Sequence, residues 1–82
     1  MDIKLYRQYL NEYVQQAISE SDGKVSRITE LLYEKQVKGL MVAHREEKLR
    51  ALSDAQQAFS EHRHWPLEII ISHLGIEIDL PG

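Results

Sequence analysis

Cysteine is absent from this sequence of 82 residues, which excludes a disulfide framework and any thiolate metal site. Proline is scarce: Pro66 and Pro81 are the two examples, so nothing interrupts helix formation by ring closure before residue 66. Long apolar runs are missing too. Ile69-Ile70-Ile71 is far short of the roughly 20 residues a membrane-crossing helix needs, and no membrane association is expected. The opening Met1-Asp2-Ile3-Lys4-Leu5-Tyr6-Arg7 has neither the apolar core nor the small-residue cleavage site of a secretory signal, and a cytoplasmic location is expected. A strong charge of one sign is also lacking. Residues 1–64 carry ten acidic and ten basic groups, and the net charge of -3 comes from Glu68, Glu77 and Asp79. The middle, 24–50, has a local excess of +3, which falls short of the clustered basic face typical of phosphate binding.

What remains favours helix. Ala, Leu, Glu, Gln, Lys and Arg dominate up to Trp65, and all propagate helix well. The length fits one domain, 1–82, able to bury only about 60% of its unfolded surface. A first helix is expected over 3–20. Asp2 can cap it, and Ile3, Tyr6, Leu10, Tyr13, Val14 and Ala17 recur at three- and four-residue steps. Gly23 can take the left-handed conformation that closes a helical hairpin. A second helix is expected over 24–38, with Val25, Ile28, Leu31 and Leu32 facing the core. Gly39 then marks a break or bend, because the apolar phase changes there to Val37, Met41, Leu52, Ala55 and Phe59. A third helix is expected over about 40–62, with one continuous helix over 24–62 as the alternative. Trp65-Pro66 marks the next boundary, and Leu67, Ile70, Ile71 and Leu74 predict a fourth helix over 67–74, stopped at Gly75. Ile76-Glu77-Ile78-Asp79-Leu80 alternates like a short strand or an extended tail. The expected fold class is therefore all-α, a bundle of three to four helices with a short extended C-terminal tail.

Chemistry is hard to find. His62 and His64 are two residues apart, and no pair among His44, His62, His64 and His73 has the three- or four-residue spacing of a helical metal pair. The expected role of His62 and His64 is a solvated helix end, where imidazolium meets the helix dipole. No glycine-rich phosphate loop or nucleophile elbow is present, so neither catalysis nor a cofactor is expected. Lys48 falls within an apolar stripe and is expected to reach past it to water. Glu34 with Lys38, and Glu46 with Arg50, have the favourable i, i+4 order for exposed helix pairs.

Two segments resemble helix-turn-helix proteins. Residues 13–32, with Asp22-Gly23 at the turn, are similar to the first two helices of Fis-type domains, which implies DNA binding. That family continues with a recognition helix after a tight turn, whereas Tyr33-Glu34-Lys35-Gln36-Val37 runs on without a turn residue. Residues 67–76 resemble a positioning helix and turn, but only an acidic tail follows. A protein partner fits better. Leu5 and Tyr9 lie roughly 90–130° from the centre of the first helix's apolar face. Trp65 flanks an apolar terminus, Ile69 points off the core face of its helix, and Ile76, Ile78 and Leu80 lie beyond the stop at Gly75. The competing reading is that these side chains fill a small core. The expectation is a non-enzymatic regulatory or adaptor protein that forms a homodimer, with Leu5, Tyr9, Trp65, Ile69, Ile76, Ile78 and Leu80 as candidate interface. The alternative is a small DNA-binding regulator with a degenerate helix-turn-helix.

Overall fold

The computed structural model describes residues 1–39 and 43–78, in which the chain forms α1 (Ile3–Ser21), α2 (Val25–Lys38), α3 (Arg45–Glu61) and α4 (Leu67–Leu74). The fold is all-α, a helical bundle begun by an α1–α2 hairpin. Its ends follow local chemistry. Asp2 caps α1, its carboxylate accepting from the Lys4 and Leu5 amides at 2.9 and 3.3 Å. At the other end Asp22 and Gly23 are both left-handed, with φ of 55° and 80°, and the Gly23 amide donates to the Ile18 carbonyl at 3.1 Å. The buried Ser21 hydroxyl donates to the same carbonyl at 3.1 Å, so the turn leaves no orphaned side-chain polar atom. α2 stops at Gly39, whose backbone is extended, and α2 and α3 are separate helices. α3 starts at Arg45, later than expected, because His44 adopts a left-handed conformation (φ 54°) that ends any helical run reaching it. Leu40, Met41 and Val42 lie outside the described residues.

α1, α2 and α3 pack on one another, and α4 packs chiefly on α3. Leu10, Val14, Ala17 and Ile18 enter the core from α1, Ile28 and Leu32 from α2, and Ile70 and Ile71 from α4. α3 supplies Leu52 and Phe59 between three alanines, Ala51, Ala55 and Ala58, whose small side chains leave room for the neighbouring helices. Two expectations about the core need correction. Ile3 is exposed, because it opens α1 beyond the end of the packed region, and Val37 is exposed in the last turn of α2. Ile18, which the periodicity reading left out, is completely buried.

The expectation of an extended terminus is resolved as packing rather than pairing. Gly75 is left-handed (φ 73°), and its carbonyl accepts from the Arg7 guanidinium at 3.3 Å. This reversal returns Ile76 to the core, where it is 8% exposed, and Ile78 packs partly against the same cluster. Residues 76–78 form no strand. Ile76→Ala is expected to lower stability by about 2–5 kcal/mol. That is a large share of the roughly 4–12 kcal/mol available to a domain of this length. Urea unfolding followed by circular dichroism measures the loss, and an unchanged midpoint would contradict the packing described.

Candidate interaction site

The Trp65 corner is built by a reverse turn. The Trp65 amide donates to the His62 carbonyl at 2.9 Å, which folds the indole back over the imidazole that ends α3. The two rings stack with centroids 3.8 Å apart and planes 14° from parallel. His73, from the last turn of α4, meets both edge-on, 4.8 Å from His62 and 5.7 Å from Trp65. His62 is therefore half-buried in an aromatic cluster, not solvated as expected, while His64 stays exposed. Ile69 precedes His73 by four residues and shares its side of α4. Trp65 remains 39% exposed and Ile69 48% exposed, so the α3–α4 corner presents an indole and a branched aliphatic side chain to solvent.

The other expected interface residues fare differently. Leu5 and Tyr9 are half-buried on α1. Tyr9 stacks on Tyr13 with centroids 6.1 Å apart, His44 lies tilted 6.1 Å away, and the Lys48 ammonium sits 5.3 Å from the Tyr9 ring. Lys48 thus reaches an aromatic face rather than only water. Lys35 approaches Tyr13 in the same way at 5.9 Å. Tyr9 thus makes its ring contacts within the chain while staying partly exposed. Ile76 and Ile78 are drawn into the core as described above, and Leu80 lies outside the described residues. Of the seven candidates, Trp65 and Ile69 are the two that are exposed among the described residues.

Two exposed apolar residues on α2 were not among those candidates. Tyr33 is 60% and Val37 62% exposed, one turn apart. The signal was available for Tyr33, which falls outside the stripe of Val25, Ile28, Leu31 and Leu32. Val37 was misassigned to the α3 stripe. The charges around them also differ from the expected pairs. Arg27 binds Glu30 at 2.8 Å and lies 3.9 Å from Glu34, and Arg50 pairs with Asp54 at 3.5 Å. Among the described residues no carboxylate comes within ion-pair distance of Lys38.

Three surface grooves lie among the described residues. One of about 340 Å³ runs between α1 and α2 over Ala17 and Leu31, with Glu20 and Glu34 on its rim as well as Lys35 and Lys38. A second, of about 410 Å³, lies where α2 begins and α3 ends, lined by Ser26, Thr29, Ser60, Arg63 and His64. The third, of about 280 Å³, includes Tyr6, Asp54, Glu61 and His73. Among the described residues no group of three His, Asp or Glu side chains is placed to hold a metal ion.

In the third groove the Tyr6 hydroxyl donates to Asp54 at 2.5 Å. Burial, then that hydrogen bond, then the Asp54 charge push the phenol up to about 12. A folded-state pKa above the unfolded value of about 10 means that the neutral phenol stabilises the fold fully below pH 10. That stabilisation disappears as pH rises through about 12. The Tyr6→Phe variant is expected to be less stable than the parent by about 1 kcal/mol at pH 8. The gap is expected to close between pH 10 and 12, and urea midpoints across that range check it; parallel curves would refute the assignment.

No family model matches this sequence, and no curated protein or solved structure matches it.

Proposed function

We propose that the chain is a non-enzymatic regulatory or adaptor protein that acts by binding another protein through its helix faces, and that it self-associates as a homodimer. The observation that carries this reading is the exposure of Trp65 and Ile69 on a domain whose core closes without them. Single exposed apolar residues are ordinary on any protein. An indole fixed by two imidazoles beside an isoleucine is different, because its rotamer is already held and little entropy remains to be lost on docking. Tryptophan is also the side chain most often found to dominate binding energy at interfaces. The corner therefore has the chemistry of an anchor for an apolar pocket on a partner.

A second reading, a small DNA-binding regulator, is supported by the groove of Ser26, Thr29, Ser60, Arg63 and His64, whose hydroxyl and cationic groups suit a phosphate. Against it, α4 is followed by packed residues 76–78 rather than by a helix that could enter a groove of DNA.

Paired substitutions separate the two. Trp65→Ala with Ile69→Ala is expected to abolish capture of a protein partner, at a cost of at least about 2 kcal/mol in binding. The thermal midpoint of the isolated domain is expected to fall with the loss of the stacking on His62, while circular dichroism still shows the folded helical domain. Retention on duplex DNA, measured from low to high salt, is expected to be weak and unchanged by Arg63→Ala. Tight retention that falls steeply with salt, and falls further in Arg63→Ala, would replace the protein-binding reading with the DNA-binding one.

A further inference from the structure

We infer that the groove beside the α3–α4 corner takes a lysine or arginine side chain of the protein partner, so that the segment received by Trp65 and Ile69 is a basic one. This inference rests on the corner proposed above and assigns its partner a charge. His73 joins the two features. It meets the Trp65 indole edge-on at 5.7 Å, shares a side of α4 with Ile69, and lines the groove of about 280 Å³.

α3 gives the groove its order. Asp54 and Glu61 are seven residues apart, so both fall on one side of α3, roughly 10 Å apart along its axis. Buried Ala58 lies between them and, with Leu74 of α4, adds apolar surface. No lysine or arginine lines the groove. The two carboxylates differ in what they already hold. Asp54 accepts from the Tyr6 hydroxyl and pairs with Arg50 at 3.5 Å. Glu61 is exposed at the last position of α3 and accepts from the Gln57 amide at 3.0 Å. Among the described residues no cation comes within ion-pair distance of it. Arg7 donates to the Gly75 carbonyl instead, and Arg63 donates to the Ser60 carbonyl and lines the groove at the start of α2.

An open carboxylate with apolar surface behind it matches a long aliphatic stem that ends in a cation. The other occupants fit worse. An acidic segment would meet Glu61 and a terminus, 65–82, that holds three acidic residues and no lysine or arginine. A second copy docked here about a two-fold axis would set the same acidic edge against itself. A purely apolar segment would strip water from Glu61 and return no hydrogen bond, which weakens binding.

Random peptides displayed on phage and selected against the full chain supply the probe. The selected peptides are expected to carry a lysine or arginine beside a bulky apolar residue. Trp65 is the single tryptophan, so tryptophan-free synthetic versions are expected to shift its emission. Glu61→Lys is expected to weaken them at least about tenfold, measured by the anisotropy of labelled peptide. Lysine suits the last position of a helix, where the dipole favours cations, so circular dichroism is expected to show unchanged helicity. Exchanging the peptide's basic residue for glutamate is expected to restore binding to Glu61→Lys, an outcome that damage to the fold cannot produce. Glu20→Lys makes the same change of net charge on α1 and is expected to leave the affinity unaltered. Equal losses in the two variants would reduce the effect to net charge and overturn the inference. Peptides that shift Trp65 emission but carry no basic residue, or that ignore Glu61→Lys, would also overturn it and leave the corner standing. If no selected peptide depends on Trp65 and Ile69, the corner falls with it. An emission shift on raising the protein concentration alone would put a second copy there and overturn the basic partner.

Discussion

The bundle closes onto α3, the helix that packs against each of the other three. Its inner side has an unusual economy of volume. Ala51, Ala55 and Ala58 lie buried at four- and three-residue steps, while Leu52 and Phe59 supply the bulk. Alanine carries no side-chain entropy and leaves a shallow groove, so α1 and α2 can approach α3 closely from either side. Phe59 then fills the space that the alanines leave, together with Leu10, Ile18, Ile28 and Ile70. Small-residue ridges of this kind tolerate enlargement poorly, because added methylenes must displace whole helices rather than one side chain. The same geometry explains why α4 can be only eight residues long. It needs to cover only the end of α3, and Ile76 continues the seal after the left-handed Gly75.

Much of this is legible in the sequence itself. The fourth helix is bounded by signals that act within a few residues: proline at the start, four apolar positions on one face, and glycine at the stop. Its observed limits, Leu67–Leu74, agree with that reading. The first helix was legible for the same reason, with Asp2 capping as its position suggests. What failed depended on tertiary partners. Ile3 has the right phase but no neighbour to cover it, and periodicity carries no information about where a helix outruns its partners. Val37 was drawn into the phase of a helix to which it does not belong. His62 looks like a solvated terminus in the sequence because its stacking depends on the turn from His62 to Trp65, which brings the indole back over the ring.

The candidate surface was legible in part, and the division has a physical basis. Apolar residues beyond a helix stop look unpartnered in one dimension. Ile76 and Ile78 illustrate the error: a single left-handed glycine sends the chain back across the bundle, and burial worth roughly 1.5–3 kcal/mol for a complete side chain draws Ile76 inward. Tyr9 is a different case. Its distance from the helix 1 core face is real, yet Tyr13, His44 and Lys48 wrap it within the same chain. Trp65 stayed outside because it sits in the turn before α4, stacked on His62, and Ile69 because the core side of α4 is the one that carries Ile70 and Ile71.

The two open apolar surfaces lie on different elements, and that separation has a consequence for binding. A homodimer joined away from this corner would leave Trp65 on α3's exit turn and Ile69 on α4 unspent in each copy. Such a dimer would present two anchors held at a fixed spacing by helices rather than by linkers. A partner with two matching pockets would bind the second anchor as an intramolecular step, and its avidity would exceed that of one corner by orders of magnitude when the spacing agrees. A partner with one pocket would gain nothing from dimerisation. Self-association of that kind would be a means of discrimination: monomer and dimer would expose the same corner, but only the dimer would distinguish a paired target from a single one.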